Sequence, residues 1–382
     1  MQMEAYYLEA LAPFRLGVRG VGIEDTAIYC PSDTLFSALC HAIRQLYGLP
    51  ELDAFLATYA ARQPAVVFSS AFPYAPVWHA DQLPDGRPCE LVGGLQVVRL
   101  WPRPMEAPPG LAAEAAYDKK VKKIAWVSET ILRAWLEGDD LEQYRVDGDI
   151  VQGSQVWLSA EERAQVDHWR DPETGGIILW SDHDVPRVTV DRATNASTVY
   201  QAGRVRFQPG GGLWFLAQWS PEWQEKGLQA LRVLGDAGLG GGRSVGHGQF
   251  RPHGPYRLQP LPAPTPGGRF MSLSLYYPTR NELVEISQGA GLSYRLRVCQ
   301  GWMASPDNAQ TPDGQEVRGS ALRRKTVRMF AEGSLLRSPH GETCLGDLAR
   351  VTPNVFKQAH TVYRYGWTLA VGYRGQKEVA DG

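Results

Sequence analysis

Residues 213–250 read LWFLAQWSPEWQEKGLQALRVLGDAGLGGGRSVGHGQF and hold four consecutive elements. LWFLAQW is an aromatic and aliphatic run with strand character. Ser220 and Pro221 start a helix, because proline is preorganised at the first helical position and its missing N–H is not needed there. The helix runs through PEWQEKGLQALRVLGDAG and gives way to GLGGGRSVGHG, then to a short strand beginning QF. Seven of the fourteen residues in 235–248 are glycine. Backbone stripped of side chains approaches a phosphate closely and aims N–H groups at it. Arg243 adds a charge-assisted, bidentate contact. Ser244 and His247 add hydrogen-bonding groups. The candidate contacts are therefore Gly238, Gly240, Gly241, Gly242, Arg243, Ser244, Gly246 and His247.

Two nucleotide-loop motifs fail here. A P-loop needs GxxxxGK[ST] after a strand. The residue five before Gly242 is Ala237, the lysine position holds Arg243, and the preceding element is a helix. GxGxxG started from Gly238 breaks at Arg243. A plain flexible surface loop is the remaining alternative. An Arg-Ser step set among the glycines argues against it.

Outward from this stretch, AYYLEALAPFRLG predicts a strand over 5–16. PSDTLFSALCHAIRQLYG predicts a helix capped by Ser32 or Asp33, with Leu35, Leu39, Ala42, Ile43 and Leu46 on one face. Gly48 and Pro50 end it. Its N-terminus at Ser32, Asp33 and Thr34 is a second candidate phosphate contact, since free N–H groups and the helix dipole favour anions. AVVFSSAFPY reads as a strand, Pro102 to Pro109 as a loop, and 117–145 as a helix through Trp135. VPRVTVDR and TVYQAGRVRF, joined by ATNAS, form a candidate hairpin over 185–207. Prolines at 252, 255, 260, 262, 264 and 266 mark a boundary. Beyond it RFMSLSLYYP, YRLRVCQGW, ALRRKTVRMF and HTVYRYGWTLAVGY are strands. Strands recur in both halves with few helices between, so the class is α+β with mainly antiparallel sheets. The order strand–helix–strands–helix–strand suits a ferredoxin-like βαββαβ unit with insertions.

The chain has 382 residues, two to three domains' worth at roughly 150 each. Lys plus Arg is 39 and Asp plus Glu 41, a net charge of −2. That excludes a uniformly basic nucleic-acid coat but not a local basic groove. With 40 Gly and 27 Pro the chain stays below the low-complexity regime and is rich in turns. Five cysteines with no CxxC pair fit a reduced, cytoplasmic compartment. The N-terminus lacks the marks of a signal peptide, and no apolar run is long enough to span a membrane.

Basic residues cluster locally. Arg187, Arg192, Arg204 and Arg206 lie on the hairpin with Asn195 in its turn, Lys119 to Lys123 precede Trp126, and Arg318 to Arg328 lie in the second half. Such groups neutralise phosphates while neighbouring aromatics stack on unpaired bases. His41 is the natural acid/base candidate, but nothing near it in sequence completes a catalytic pair. Asp182, His183 and Asp184 form a polar turn rather than a metal set. GxSxG and HExxH are absent.

FRLG, PSDTLFSALCHAI, PRVTVDRATNAS, VYQAGRVRF and above all GLGGGRSVGHGQF resemble the RAMP-superfamily subunit that caps the 5′ end of guide RNA in type III-A CRISPR (Csm) effectors, the fourth Csm subunit. RRKTVRMFAEGSLL extends the likeness loosely into the second half. The resemblance implies two ferredoxin-like, RNA-recognition-type domains with insertions: an N-terminal one over 1–251, with an insertion over about 80–180 and a thumb-like hairpin at 185–207; a linker at 252–268; and a C-terminal one over 269–382. It implies a non-catalytic antiviral-defence subunit without cofactor or metal. Its partners would be the 5′ handle of CRISPR RNA, the large cyclase-type subunit, the repeated RAMP backbone subunit, and target RNA through the guide duplex. The RNA contacts carried over are Ser32, Asp33, Thr34, the hairpin residues Arg187, Arg192, Asn195 and Arg204, and the loop from Gly238 to His247. The rival is a metal-independent RAMP endoribonuclease that processes precursor RNA, with His41 or His247 as acid/base.

Overall fold

In a computed structural model, residues 3–17, 26–77, 97–111, 121–145, 148–190, 197–287, 291–302, 323–338, 340–353 and 361–375 are described. The first module opens with β1 (Glu4–Ala10), then α1 (Ser32–Tyr47), α2 (Leu49–Ala60), β2 (Val66–Phe68) and β3 (Phe72–Pro76). β4 (Val97–Pro102), β5 (Trp126–Ser128) and α3 (Glu129–Glu137) follow, then the hairpin β6 (Trp180–Val190) and β7 (Ser197–Phe207). β8 (Gly212–Trp219), α4 (Pro221–Ala237) and β9 (Phe250–Arg257) complete it.

β1 is central because Ala5, Tyr6, Tyr7 and Leu8 are all buried, so both of its faces are covered. It pairs antiparallel with β8 on one side and β9 on the other, and β8 pairs in turn with β2 and β3. The order β9–β1–β8–β3, with α1 and α4 as the two crossovers, is the ferredoxin-like βαββαβ arrangement. The sheet continues through β4 and β5 to the short strands Val156–Trp157 and Ile150–Val151. Much of the middle stretch is thus an extension of the first sheet.

The second module holds β10 (Arg269–Ser272), α5 (Arg280–Ser287), the hairpin β11 (Leu296–Cys299) and β12 (Val327–Phe330), then β13 (Leu335–Arg337), β14 (Cys344–Arg350) and β15 (Tyr363–Tyr373). Its antiparallel sheet has the order β13–β10–β15–β14. The protein is α+β with mainly antiparallel sheets. Among the described residues no helix is long and apolar enough to cross a membrane.

Several local expectations are corrected. The strand expected over 5–16 stops at Ala10, since Pro13 has no N–H to continue a ladder. Past it, Phe14 pairs with Val205 at the foot of the hairpin and Arg15 with Gly240. α1 ends at Tyr47 with Gly48 at its cap, as expected, but Pro50 belongs to a second helix rather than to a loop. It sits in the first turn of α2, where its lack of a donor is harmless. The helix expected over 117–145 is interrupted: residues 121–123 are helical, Trp126–Ser128 is a strand because Val127 pairs with Trp101 in the sheet, and helix resumes at Glu129. The hairpin begins at Trp180 rather than Val185. β9 carries Pro252 and Pro255 as an edge strand, the place in a sheet where proline is tolerated, so the connection between modules begins at Leu258.

That connection does not separate two independent cores. One apolar cluster runs from β1 and α1 into β15. The Tyr365 ring stacks on Phe68 at 4.5 Å and 3°, and the buried Phe68 N–H donates to the Tyr365 hydroxyl at 3.0 Å. Phe36 and Tyr59 pack around the same ring. A polar seam runs beside it. The Ser32 N–H donates to Ser70 Oγ at 2.9 Å, and the Leu275 N–H donates to Ser32 Oγ at 3.1 Å. Ser274 Oγ donates to the Phe68 carbonyl at 2.8 Å, and Asp33 and Arg364 form a buried ion pair.

Candidate nucleic-acid interface

α4 ends where the Gly238 N–H reaches back to the Leu234 carbonyl at 2.8 Å. From there the loop to Gly248 is clamped rather than loose. The Leu239 N–H donates to the Gly248 carbonyl at 2.8 Å, the Gly248 N–H to the Pro13 carbonyl at 2.9 Å, and the Gly241 N–H to the Arg15 carbonyl at 2.8 Å. Gly240 is required by this closure. Its φ is +95°, and a Cβ there would stand 2.4 Å from the Arg15 carbonyl oxygen. Residues Arg243–Val245 turn as a short 3-10 helix that lifts Arg243 and Ser244 into solvent. Among the described residues, the N–H groups of Gly242, Arg243 and Ser244 have no backbone acceptor. Fixed amides and an exposed guanidinium are thus presented together at the tip, with Gly240, Gly241 and Gly242 lining the concavity beside them.

His247 is corrected. It is 9% exposed and lies under the loop, so that a Cβ on Gly242 would meet its ring at 2.8 Å. It supports the loop from below rather than facing a ligand. Gly238 is likewise buried, its α-carbon packed against the His247 carbonyl. Gly241 and Gly246 are exposed with the tip.

The segment from Pro13 to Arg15 links this loop to the hairpin. Phe14 bridges to Val205, and the neighbouring β7 residues carry half-buried Arg204 and exposed Arg206. These two arginines share one face of the strand, since side chains alternate. Arg192 and Asn195 lie outside the described residues, as does the side chain of Arg187.

On the other flank α1 packs along α4. The exposed half of α1 carries His41 and Arg44. Desolvation, then repulsion from Arg243, Arg324 and Arg44, holds the His41 imidazole below its usual range. Four basic side chains from three separated stretches therefore meet beside the loop tip. A cleft lined by Phe36, Cys40, His41, Arg44, Arg324 and Tyr363 adjoins them. Arg324 comes from the second module, and sequence spacing alone gave no sign that it joins α1.

The N-terminus of α1 is the other correction. Pro31 takes the cap position, with no side-chain cap. Ser32 is fully buried and Asp33 is 4% exposed, and both side chains are committed to the second module. Thr34 turns its hydroxyl onto Asp33 at 3.3 Å. Ser32 and Asp33 join the modules and are withdrawn from any ligand, because that end of the helix is covered by β15 and the Leu275 backbone.

The comparisons with known proteins agree with this architecture. Residues 265–373 match the family model described as the CRISPR Csm4 C-terminal domain. A Mycobacterium tuberculosis protein called CRISPR system Cms protein Csm4 is 26% identical over 322 residues, covering 83% of each chain. A Thermococcus onnurineus protein of the same description is 26% identical over 197 residues, covering 51% of this chain and 55% of that one. A chain of the Csm3-Csm4 subcomplex of the type III-A interference complex superposes with a TM-score of 0.59 at 15% identity, covering 97% and 99%. A chain of the Csm1-Csm4 cassette in complex with cA4 gives 0.51 at 20%, covering 98% and 99%. The fold is shared with these two chains. The chain is similar to Csm4 proteins along most of its length, and its residues 265–373 match their C-terminal domain. The matched family model lies in the half whose sequence likeness is looser.

Proposed function

We propose that the protein is the subunit of a type III-A effector that clamps the 5′ handle of CRISPR RNA, and that it performs no chemical step. The observation that carries this reading is the loop tip. Arg243, Ser244 and three amides without a backbone acceptor among the described residues are held out on a backbone tied down at both ends. Such preorganisation suits phosphates whose position must be fixed, because little entropy is lost on binding. Arg204, Arg206, Arg44 and His41 extend the basic surface on either side, giving a groove in a chain of nearly balanced charge.

The handle would meet the tip, and the hairpin would reach towards the duplex formed by guide and target RNA. Relatives of the same fold were crystallised with Csm3 and with Csm1. This supports a bridging place between the repeated backbone subunit and the large cyclase-type subunit. The endoribonuclease alternative loses His247, one of its two histidines, to the interior. His41 is surrounded by guanidiniums, which disfavour the protonated imidazole a general acid needs.

The test is binding of labelled RNA carrying a repeat-derived 5′ handle, against a scrambled 5′ end, in chelator, with the large subunit present. Wild type should prefer the handle and leave it intact. Arg243→Ala should weaken binding and reduce the salt dependence by about 0.7 in the log–log slope for each phosphate no longer neutralised. Equal affinity for both RNAs, or cleavage of either, would refute the reading.

A further inference from the structure

A second basic cavity lies on the seam between β4–β5 and the second module, bounded by other residues than those around the glycine loop. It measures about 410 Å³ and is lined by Arg103, Met105, Lys122, Lys123, Trp126 and Arg295, with Tyr29 and Glu332 at its wall. Its edge is firmly built. The Met105 N–H donates to the Gly333 carbonyl at 2.9 Å, and Arg269 pairs with Glu106 at 3.1 Å.

The charges do not balance. Glu332 is the only carboxylate lining the cavity among the described residues, and it is already engaged. Ser70 Oγ donates to one of its oxygens and the Tyr29 hydroxyl to the other. Arg297, stacked over Tyr29 at 5.6 Å, also draws on the Glu332 charge. Arg103 and Arg295 face each other with no carboxylate partner among the described residues, and burial together with Arg295 depresses the Arg103 guanidinium. Trp126 is 5% exposed, and its indole N–H has no hydrogen-bond partner among the described residues. Four cations without a carboxylate partner among the described residues line one partly open space, and an anion would complete the arrangement.

We propose that this cavity binds a phosphorylated ribonucleotide, with Arg103, Arg295, Lys122 and Lys123 on the phosphate. The volume lies in the range of small-ligand sites, roughly 300–1,000 Å³, which favours a nucleotide-sized guest over a flat protein surface. Met105 and Trp126 supply an apolar wall. The guest is either a free nucleotide or one residue of a single-stranded RNA. The proposal goes beyond handle binding and does not depend on it.

The experiment titrates the full-length chain with ATP and, separately, with a short single-stranded RNA. It uses wild type, Arg295→Ala, the double variant R103A/R295A, and Arg243→Ala. Both arms are repeated with the Arg295 substitution added to the Arg243→Ala background, so that weakening at the glycine loop is kept apart. Adding the Arg295 substitution to that background should weaken ATP by the same factor as in wild type, which keeps any ATP held at the glycine loop apart. Arg295→Ala should weaken one or both probes roughly tenfold or more, the scale of one charge-assisted contact. It should also raise the melting temperature of the unliganded protein, because a like-charge contact is relieved. A purely structural arginine would lower it. Sensitivity of ATP alone identifies a free nucleotide, and sensitivity of RNA identifies a residue within a strand. If both probes bind the Arg295 variants as they bind wild type, or if neither binds saturably, the proposal is overturned. Arg295 is exposed, so its single variant keeps the test readable should the double variant fail to fold.

Discussion

Asp33→Ala separates a structural from a functional role for the start of α1. Asp33 and Arg364 side chains are only 5% and 7% exposed, so their charges are almost wholly withdrawn from water. Removing one partner of a buried pair leaves the other uncompensated, at a cost of about 3–5 kcal/mol. The upper part of that range applies here. Asp33 also offsets Arg324, so its removal leaves the Arg364 and Arg324 guanidiniums repelling each other. Against a total stability of about 5–15 kcal/mol, this removes about a quarter or more. Urea unfolding followed by tryptophan emission, with 12 tryptophans as reporters, measures it. The double variant D33L/R364M should recover most of the stability, since a well-packed apolar pair replaces a buried ionic one at little cost. Handle RNA affinity per folded molecule should not change in either variant. If Asp33→Ala stays within about 1 kcal/mol of wild type, or folds normally and no longer binds RNA, the structural assignment is wrong.

Two further outcomes follow from the loop and its flank. Gly240→Ala should destabilise the loop by about 1–3 kcal/mol, because φ is +95° and the new Cβ meets the Arg15 carbonyl. Weaker RNA binding with a small drop in melting temperature is expected, and no change in either would mean that the loop is not held by Arg15. His41 is kept below its ordinary value of 6.5, so the unbound fold favours neutral imidazole, and its stability falls as pH drops below that value. A bound phosphate favours the protonated form, so RNA affinity should rise on going from about pH 8 to about pH 6. His41→Gln should flatten that rise, and a flat wild-type profile would remove His41 from the interface.

The periodic parts of the fold were legible. Leu35, Leu39, Ala42 and Ile43 gave α1 its buried face, and the strand–helix–glycine-loop order of 213–248 gave the ferredoxin-like unit. Misreadings arose where a distant residue decides. Ser32 and Asp33 have the chemistry of a cap or anion site, but the partner that claims Asp33 is 331 positions away. Pro50 carries the same local signal for a stop as for a start, and only the packing of Phe55 and Tyr59 behind it selects the second. His247 looked available because glycine surrounds it. Burial came from the loop folding over its ring, which no spacing reveals. The cavity at Arg103 and Arg295 joins residues from two modules and has no local signature.

The shared core also governs how the chain is made. Tyr365, Trp367 and Leu369, which complete the packing around Phe68 and Tyr59, are synthesised long after those partners. Until then the first module exposes an aromatic face to solvent, and pairings such as Glu4 with Arg257 already demand a long loop closure. Such topologies fold slowly and are prone to aggregate while unfinished. A nascent chain of this kind gains from an early binding partner, and a truncation at the proline-rich connection would strand the first module without its lid.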